Sequence, residues 1–204
     1  GETDVKPDDE TENLVTGRAR LAPHTDHGGV DTIAWRCEKQ AESGGESILI
    51  DARKAFEQLS AADQRALAEV YLTEHRVFPG DPERRPLVRR EEGELKFYYS
   101  FWLLEDEMSP RASRALESFK KALRDIEPIE LRLQPGDVLV VDNTRILHGR
   151  SAIGDGDRLL QRLWIAEPKS LVASASQESP RSQMRQDFEL PEPISAERIG
   201  QLED

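Results

Sequence analysis

The chain is poor in residues that cross-link, carry positive charge or cross membranes. Cys37 is the one cysteine among 204 residues. It excludes a disulfide framework within the chain and fits a reducing compartment. No apolar run approaches the ~18 residues that a membrane-spanning helix needs. The N-terminal stretch is acidic and polar, unlike a signal peptide, so the expected location is the cytoplasm. Cations are in deficit: 28 Lys and Arg against 40 Asp and Glu give a net charge of −12. That argues against nucleic acid as a partner, because phosphate binding needs a basic face. It leaves open a small anion held by local charge inside a pocket. The glycines of SGGES suit a turn rather than a phosphate loop, since no lysine follows them.

Between two polar ends the sequence is strand-rich. Residues 1–13 (GETDVKPDDETEN) are acidic, almost free of apolar groups, and read as a flexible N-terminal arm. Residues 167–204 are rich in Ser, Glu, Gln and Pro and read as a polar C-terminal extension. Within it, ISAERIGQLED predicts one short helix capped by Ser195. The span 14–166 suits a single domain with its own core. Two helices are expected there. SAADQRALAEVYLTEH begins at Ser60 and carries Leu67, Val70 and Tyr71 at helical spacing. SPRASRALESFKKALRDI has Ser109 as cap, Pro110 at the first helical position, and a stripe of Leu116, Phe119, Leu123 and Ile126. The strand candidates are RARLAPHTD, DTIAWRCEK, ESILIDA, RPLVRR, ELKFYYSFWLL, IELRL, DVLVVDN, RILHGR and RLLQRLWIA, with a turn at Pro135-Gly136. Many short strands with a few helices predict a mainly β protein with flanking helices, a β-sandwich or jelly roll.

Two of the four histidines fall in APHTDHGG. His24 and Asp26 are two apart, so on an extended segment both side chains point the same way. A third ligand is available at His148, in RILHGR. Two imidazoles and a carboxylate bind Fe(II) on one face and leave three positions open, although zinc sites can use the same ligands. Downstream, DRLLQRLWIAEP alternates so that Arg158, Leu160 and Arg162 share a face. Two guanidiniums on a core-facing side are costly unless each meets an anion. The plain alternative is a pair of surface or salt-bridged arginines.

Taken in order, PHTD, SGGESILIDA, RRPLVRREEGELKFYYS, LQPGDVLVVDNTRILHGRSAI and RLLQRLWI resemble the motifs of the iron(II)/2-oxoglutarate dioxygenases of the TauD/TfdA (taurine dioxygenase) type. That group includes γ-butyrobetaine hydroxylase and the clavaminate-synthase-like amino-acid hydroxylases. The resemblance covers about residues 20–166. It implies a double-stranded β-helix. It also implies catalytic iron ligands at His24, Asp26 and His148, and 2-oxoglutarate held by Ser47 and Arg158. A planar guanidinium fork and a hydroxyl suit a carboxylate. Arg162 falls where relatives hold an anionic group of the substrate. The implied reaction uses O₂, converts 2-oxoglutarate to succinate and CO₂, and hydroxylates an unactivated C–H bond. The substrate expected is a small carboxylate-bearing molecule, first a free or carrier-linked amino acid, next a sulfonate or betaine-type compound. Retention of Asp26 separates the chain from halogenating relatives, which lack the carboxylate. The segment before the iron motif is shorter than in typical relatives, which leaves the assembly, monomer or homo-oligomer, open.

The remaining candidates have plain readings. His27 is expected in a loop or at the pocket rim, and His75 at a helix end. Cys37 is expected as a small buried residue. Trp35, Trp102 and the aromatics of residues 97–101 are expected to pack, one or two of them against the pocket. Arg36 and Arg89 are expected to be solvated or paired. Asn143 and Thr144 are expected to orient the histidine strand. Two rivals stay open: a non-catalytic anion-binding barrel, and a zinc hydrolase using the same three ligands.

Overall fold

The computed structural model describes residues 2–6, 17–73 and 84–165. Its frame is two four-stranded antiparallel sheets. One contains β1 (Glu2–Val5), β12 (Leu159–Ile165), β3 (Thr32–Lys39) and β10 (Val138–Asp142), in that order. The other contains β2 (Leu21–His24), β11 (Ile146–Arg150), β4 (Ser47–Asp51) and β9 (Ile129–Leu131). The chain crosses between sheets at each step, through β2, β3 and β4 and again through β9 to β12. That alternation is the jelly roll, the mainly β architecture expected from the sequence.

The two faces of the second sheet explain its composition. On the inside, Leu49 packs with Ile33, Trp35, Cys37, Val141 and Leu160 of the facing sheet. On the outside, Ile50 and Leu147 join a cluster built on the helices. Because β4 is covered on both sides, its first four residues are all buried, and the run SILI has no polar alternation. The covering helices are α1 (Ala52–Glu57), α2 (Ala61–Leu67) and α3 (Pro110–Asp125). Ser60 and Ser109 cap α2 and α3 as expected, each accepting from the backbone N–H three residues on. Leu116, Phe119 and Leu123 of α3 are buried and Ile126 is partly buried against the same cluster.

Four details differ from the sequence reading. The helix expected over 60–75 stops at Leu67, and Tyr71–Thr73 form β5, paired with β6 (Arg84–Pro86). Val70 and Leu72 are both fully buried with Tyr71 less so, a period of two that the Leu67–Val70–Tyr71 spacing masks. The long strand expected over 94–104 is split. Residues Glu94–Phe97 form β8, paired with β7 (Val88–Glu91), and Phe101–Leu103 form a 3-10 turn. Helix α1 was not expected; at six residues it is too short to show helical periodicity. Finally, part of the expected acidic arm is a strand. Glu2–Val5 pair with Leu160–Leu163 along the edge of β12, because an edge pairing is made by backbone groups and needs little apolar content. Residues 7–16, 74–83 (with His75) and 166–204 (with the helix expected at Ser195) lie outside the described residues. No helix among the described residues is long and apolar enough to cross a membrane.

Candidate active site

His24 ends β2, and its ring is fixed by its own strand: Nδ1 donates to the Ala22 carbonyl at 2.9 Å. A carbonyl can only accept, so Nδ1 carries a proton, and Nε2 is the atom left for a metal. Thr25 is fully buried and ties the next turn to the segment after β8. Its N–H donates to Tyr99 O at 2.7 Å, its hydroxyl accepts from Tyr99 N–H at 2.9 Å, and its carbonyl accepts from the Ser100 hydroxyl at 2.7 Å. Asp26 is fixed from a third direction, its N–H donating to Asn143 Oδ1 at 2.8 Å. Asn143 Nδ2 in turn donates to Val30 O at 2.8 Å. Asn143 therefore orients the first motif, not the histidine strand as the sequence reading had it.

His148 sits on β11 directly opposite His24 in the ladder and opposite Leu49 on the other side. A β-bulge follows, and at Gly149 a Cβ would lie 2.5 Å from the Leu21 carbonyl. Only glycine lets β2 approach β11 this closely. The result is a buried triad. Asp26 Oδ1 lies 3.5 Å from His24 Nε2 and 3.3 Å from His148 Nε2. One ligand atom from each residue falls within 4.8 Å of the other two. The His24 ring also lies 4.5 Å from the His148 ring. Trp102 packs on His24 at 4.8 Å and Trp35 on His148 at 4.7 Å.

Burial on its own would raise the Asp26 carboxyl. Hydrogen bonding to His148 and His24, and the charge of Arg162, outweigh burial and hold it well below the usual aspartate range. Burial lowers the His148 pKa, with His24 and Arg162 adding to the shift against the pull of Asp26. An ionised carboxylate and a neutral imidazole are the forms that bind a divalent transition metal. Two nitrogens and one oxygen within this distance of one another are a donor set that fits iron(II).

A second cluster shares the cavity. Ser47 and Arg150 are ladder partners on β4 and β11, Arg158 precedes β12, and all three line the cavity with the triad. Arg150 and Arg158 are 6% and 4% exposed, so neither is a surface arginine. Arg150 Nη2 donates to Gly17 O at 2.6 Å and Ala19 O at 2.8 Å. The Nε atoms of Arg150 and Arg158 have no hydrogen-bond partner among the described residues. Burial pushes the Arg158 guanidinium down to about 10, and the neighbouring Arg150 charge pushes the same way. Two buried cations beside a hydroxyl are suited to hold an anion.

Arg158, Leu160 and Arg162 all line the cavity, so the face read from the sequence is the face the fold uses. Arg162, however, is already engaged: Nη1 donates to Asp26 Oδ2 at 2.8 Å, while Nε is buried without a partner among the described residues. Trp164 Nε1 donates to the same oxygen at 2.6 Å. His27 is buried rather than at a rim, accepting at Nδ1 from Gly29 N–H at 2.9 Å. Cys37 is buried, as expected. Sequence reasoning missed Arg150 and the hydrogen bond of Trp164. Both stand two residues beyond a recognised site residue on the same strand, a parity signal that was available for each.

Residues 2–164 match the family described as taurine catabolism dioxygenase TauD, TfdA family. The chain belongs to this family. Several TauD/TfdA-like folds have solved structures. An asparagine oxygenase in complex with Fe(II), 2S,3S-3-hydroxyasparagine and succinate superposes with a TM-score of 0.68 at 21% identity, over 81% of this chain and 56% of that one. The non-heme iron oxygenase OrfP, in complex with Fe and alpha-ketoglutaric acid, gives 0.66 at 22% identity, over 82% and 56%. OrfP with Fe, succinate and (3S)-hydroxy-L-Arg gives 0.67 at 18% identity, over 82% and 59%. The chain thus spans a little over half the length of these TauD/TfdA-like relatives. No curated protein sequence matches significantly.

Proposed function

We propose that the chain is an iron(II)- and 2-oxoglutarate-dependent dioxygenase that hydroxylates a C–H bond of a small carboxylate-bearing substrate, first an amino acid, free or carrier-linked. The observation that carries this reading is the meeting of two features in one cavity: a buried His-Asp-His triad, and a buried pair of arginines with unpartnered Nε atoms beside a serine hydroxyl. A zinc hydrolase needs the first feature but not the second, and an anion-binding barrel needs the second but not the first. Membership of the TauD/TfdA family supports the same reading. The amino-acid products named for the asparagine oxygenase and for OrfP support the substrate class.

His24 Nε2, His148 Nε2 and Asp26 Oδ1 would hold iron(II). When bound, the metal with 2-oxoglutarate and O₂ supplies the oxidising power: one oxygen atom enters succinate as CO₂ leaves, and the other enters the substrate C–H bond. The chain's own residues supply position and dryness. Ser47 through its hydroxyl, and Arg158 through its guanidinium, would hold the distal carboxylate of 2-oxoglutarate. The burial of both keeps that contact out of water, where it is strongest. Arg162 has donors beyond the one given to Asp26, and an anionic group of the substrate is their proposed partner. The low net basicity of the chain and the free thiol of Cys37 fit work on a small molecule in the cytoplasm.

The test needs no knowledge of the substrate. Metal-free protein receives Fe(II) and 2-oxoglutarate without oxygen, and the weak visible charge-transfer band of the chelate is recorded. The expected result is a band in the native chain and its loss in Arg158→Met at equal ligand concentrations. Succinate release over a panel of amino acids then identifies the substrate class. Iron binding with no band at saturating 2-oxoglutarate would overturn the cosubstrate assignment and favour the zinc hydrolase.

A further inference from the structure

The chain has three tryptophans, and each one meets a different member of the triad. Trp102 packs on His24, Trp35 packs on His148, and the Trp164 indole N–H donates to Asp26 Oδ2 at 2.6 Å. The third contact differs in kind from the others. It reaches the carboxylate at the oxygen that does not face the imidazoles, and Arg162 Nη1 reaches that same oxygen at 2.8 Å. The Arg162 guanidinium also lies over the Trp164 ring, 4.7 Å from its centroid, so the two donors brace one another.

The geometry points to Trp164 and Arg162 as positioning residues that make Asp26 a one-oxygen ligand. This rests on the iron-site reading above. A free carboxylate can rotate and chelate a metal through both oxygens, which would consume a second coordination position. Here Oδ2 is held by two donors, one of them charged, and Oδ1 alone is presented beside the histidine Nε2 atoms. The clamp comes from β12, two strand positions apart, and so is set by the pleat rather than by a loop. It also gives Arg162 a task that precedes any substrate.

Because all three indoles touch the triad, intrinsic fluorescence reports metal occupancy directly: bound Fe(II) or Ni(II) quenches neighbouring indoles. The experiment titrates metal-free protein with Fe(II), without oxygen or 2-oxoglutarate, following the emission. Trp164→Phe removes the N–H while keeping a flat apolar ring, and Trp35 and Trp102 remain to report. Metal affinity is expected to fall ten- to a hundredfold. Arg162→Gln should give a loss of the same order, so the idea does not hang on one variant. The decisive comparison repeats Trp164→Phe in an Asp26→Ala chain, using Ni(II), which binds imidazoles more tightly and keeps the weakened site measurable. With the carboxylate gone, the tryptophan change should cost nothing further. Native affinity in both Trp164→Phe and Arg162→Gln would overturn the clamp. An equal loss with and without Asp26 would overturn it too, by showing that Trp164 acts through packing. If Asp26→Ala itself binds Fe(II) like the native chain, the iron-site reading fails, and the clamp fails with it.

Discussion

Arg158 shows how far a single residue is bent to a task. A guanidinium that is 4% exposed and pushed down to about 10 is being held charged against its surroundings. Its folded pKa lies below its unfolded value, so the charged form opposes folding at neutral pH, and that opposition fades as pH rises through about 10. Replacing it by methionine should therefore stabilise the ligand-free chain, by about 1 kcal/mol or more in urea unfolding at pH 7. The same change should weaken 2-oxoglutarate binding by at least about 30-fold, the equivalent of about 2 kcal/mol for a buried charge pair. In the native chain, anion affinity should be level below pH 9 and fall as the guanidinium loses its proton above about 10. A chain destabilised by Arg158→Met would show that the guanidinium has a structural partner after all. The sequence could suggest Arg158 because strand alternation put it on the face of Leu160. The same alternation could have suggested Arg150, two residues past His148, but not that Ser47 lies across the ladder from it.

Asp51 does comparable work between elements. It ends β4, caps α1 by accepting from Arg53 N–H at 3.0 Å, and takes Arg145 from the turn just before β11. Arg145 Nη2 reaches Oδ2 at 2.6 Å and its Nε reaches Oδ1 at 3.1 Å. Burial on its own would raise the Asp51 pKa; the hydrogen bonds and charge of Arg145 outweigh it, and the pKa is lowered. The group thus contributes stability that is fully present above the ordinary aspartate range near pH 4, and lost as pH falls through its lower folded value. Asp51→Ala should cost about 1–3 kcal/mol at pH 7, and the gap to the native chain should close in the same urea titration near pH 2. An unchanged gap would mean that the cost is not ionic. Elements of this kind were unevenly legible. Strands β3, β4, β11 and β12 follow the sequence closely, since each has its own pattern of burial. The 60–75 helix was overdrawn because Leu67, Val70 and Tyr71 satisfy a helical spacing while Val70 and Leu72 satisfy a strand one. Strand β1 was hidden by acidic composition, which governs solubility and not edge pairing.

For the molecule as a whole, ligand and fold are linked. The triad and the cluster of Ser47, Arg150 and Arg158 line one cavity between the two sheets. A ligand bound only by the native state adds about 2.7 kcal/mol at a hundredfold excess over its Kd. For a chain of this size that is a rise in melting temperature of roughly 5–10 °C. Calorimetry with Fe(II), and then with 2-oxoglutarate added without oxygen, should show two successive rises, the second absent in Arg158→Met. Two rises in that variant would place the cosubstrate elsewhere.

The ladder pairing of His24 with His148 also sets a clock. The second histidine follows the first by 124 residues (148 − 24). At about 5–20 residues per second, a ribosome needs roughly 6 to 25 seconds to travel between them. Throughout that interval the nascent chain carries His24 and Asp26 but no third ligand. Contacts this distant in sequence are also the slow ones to form. The triad is therefore complete only once the last strands have formed, and any metal it is to hold must arrive after the barrel has closed.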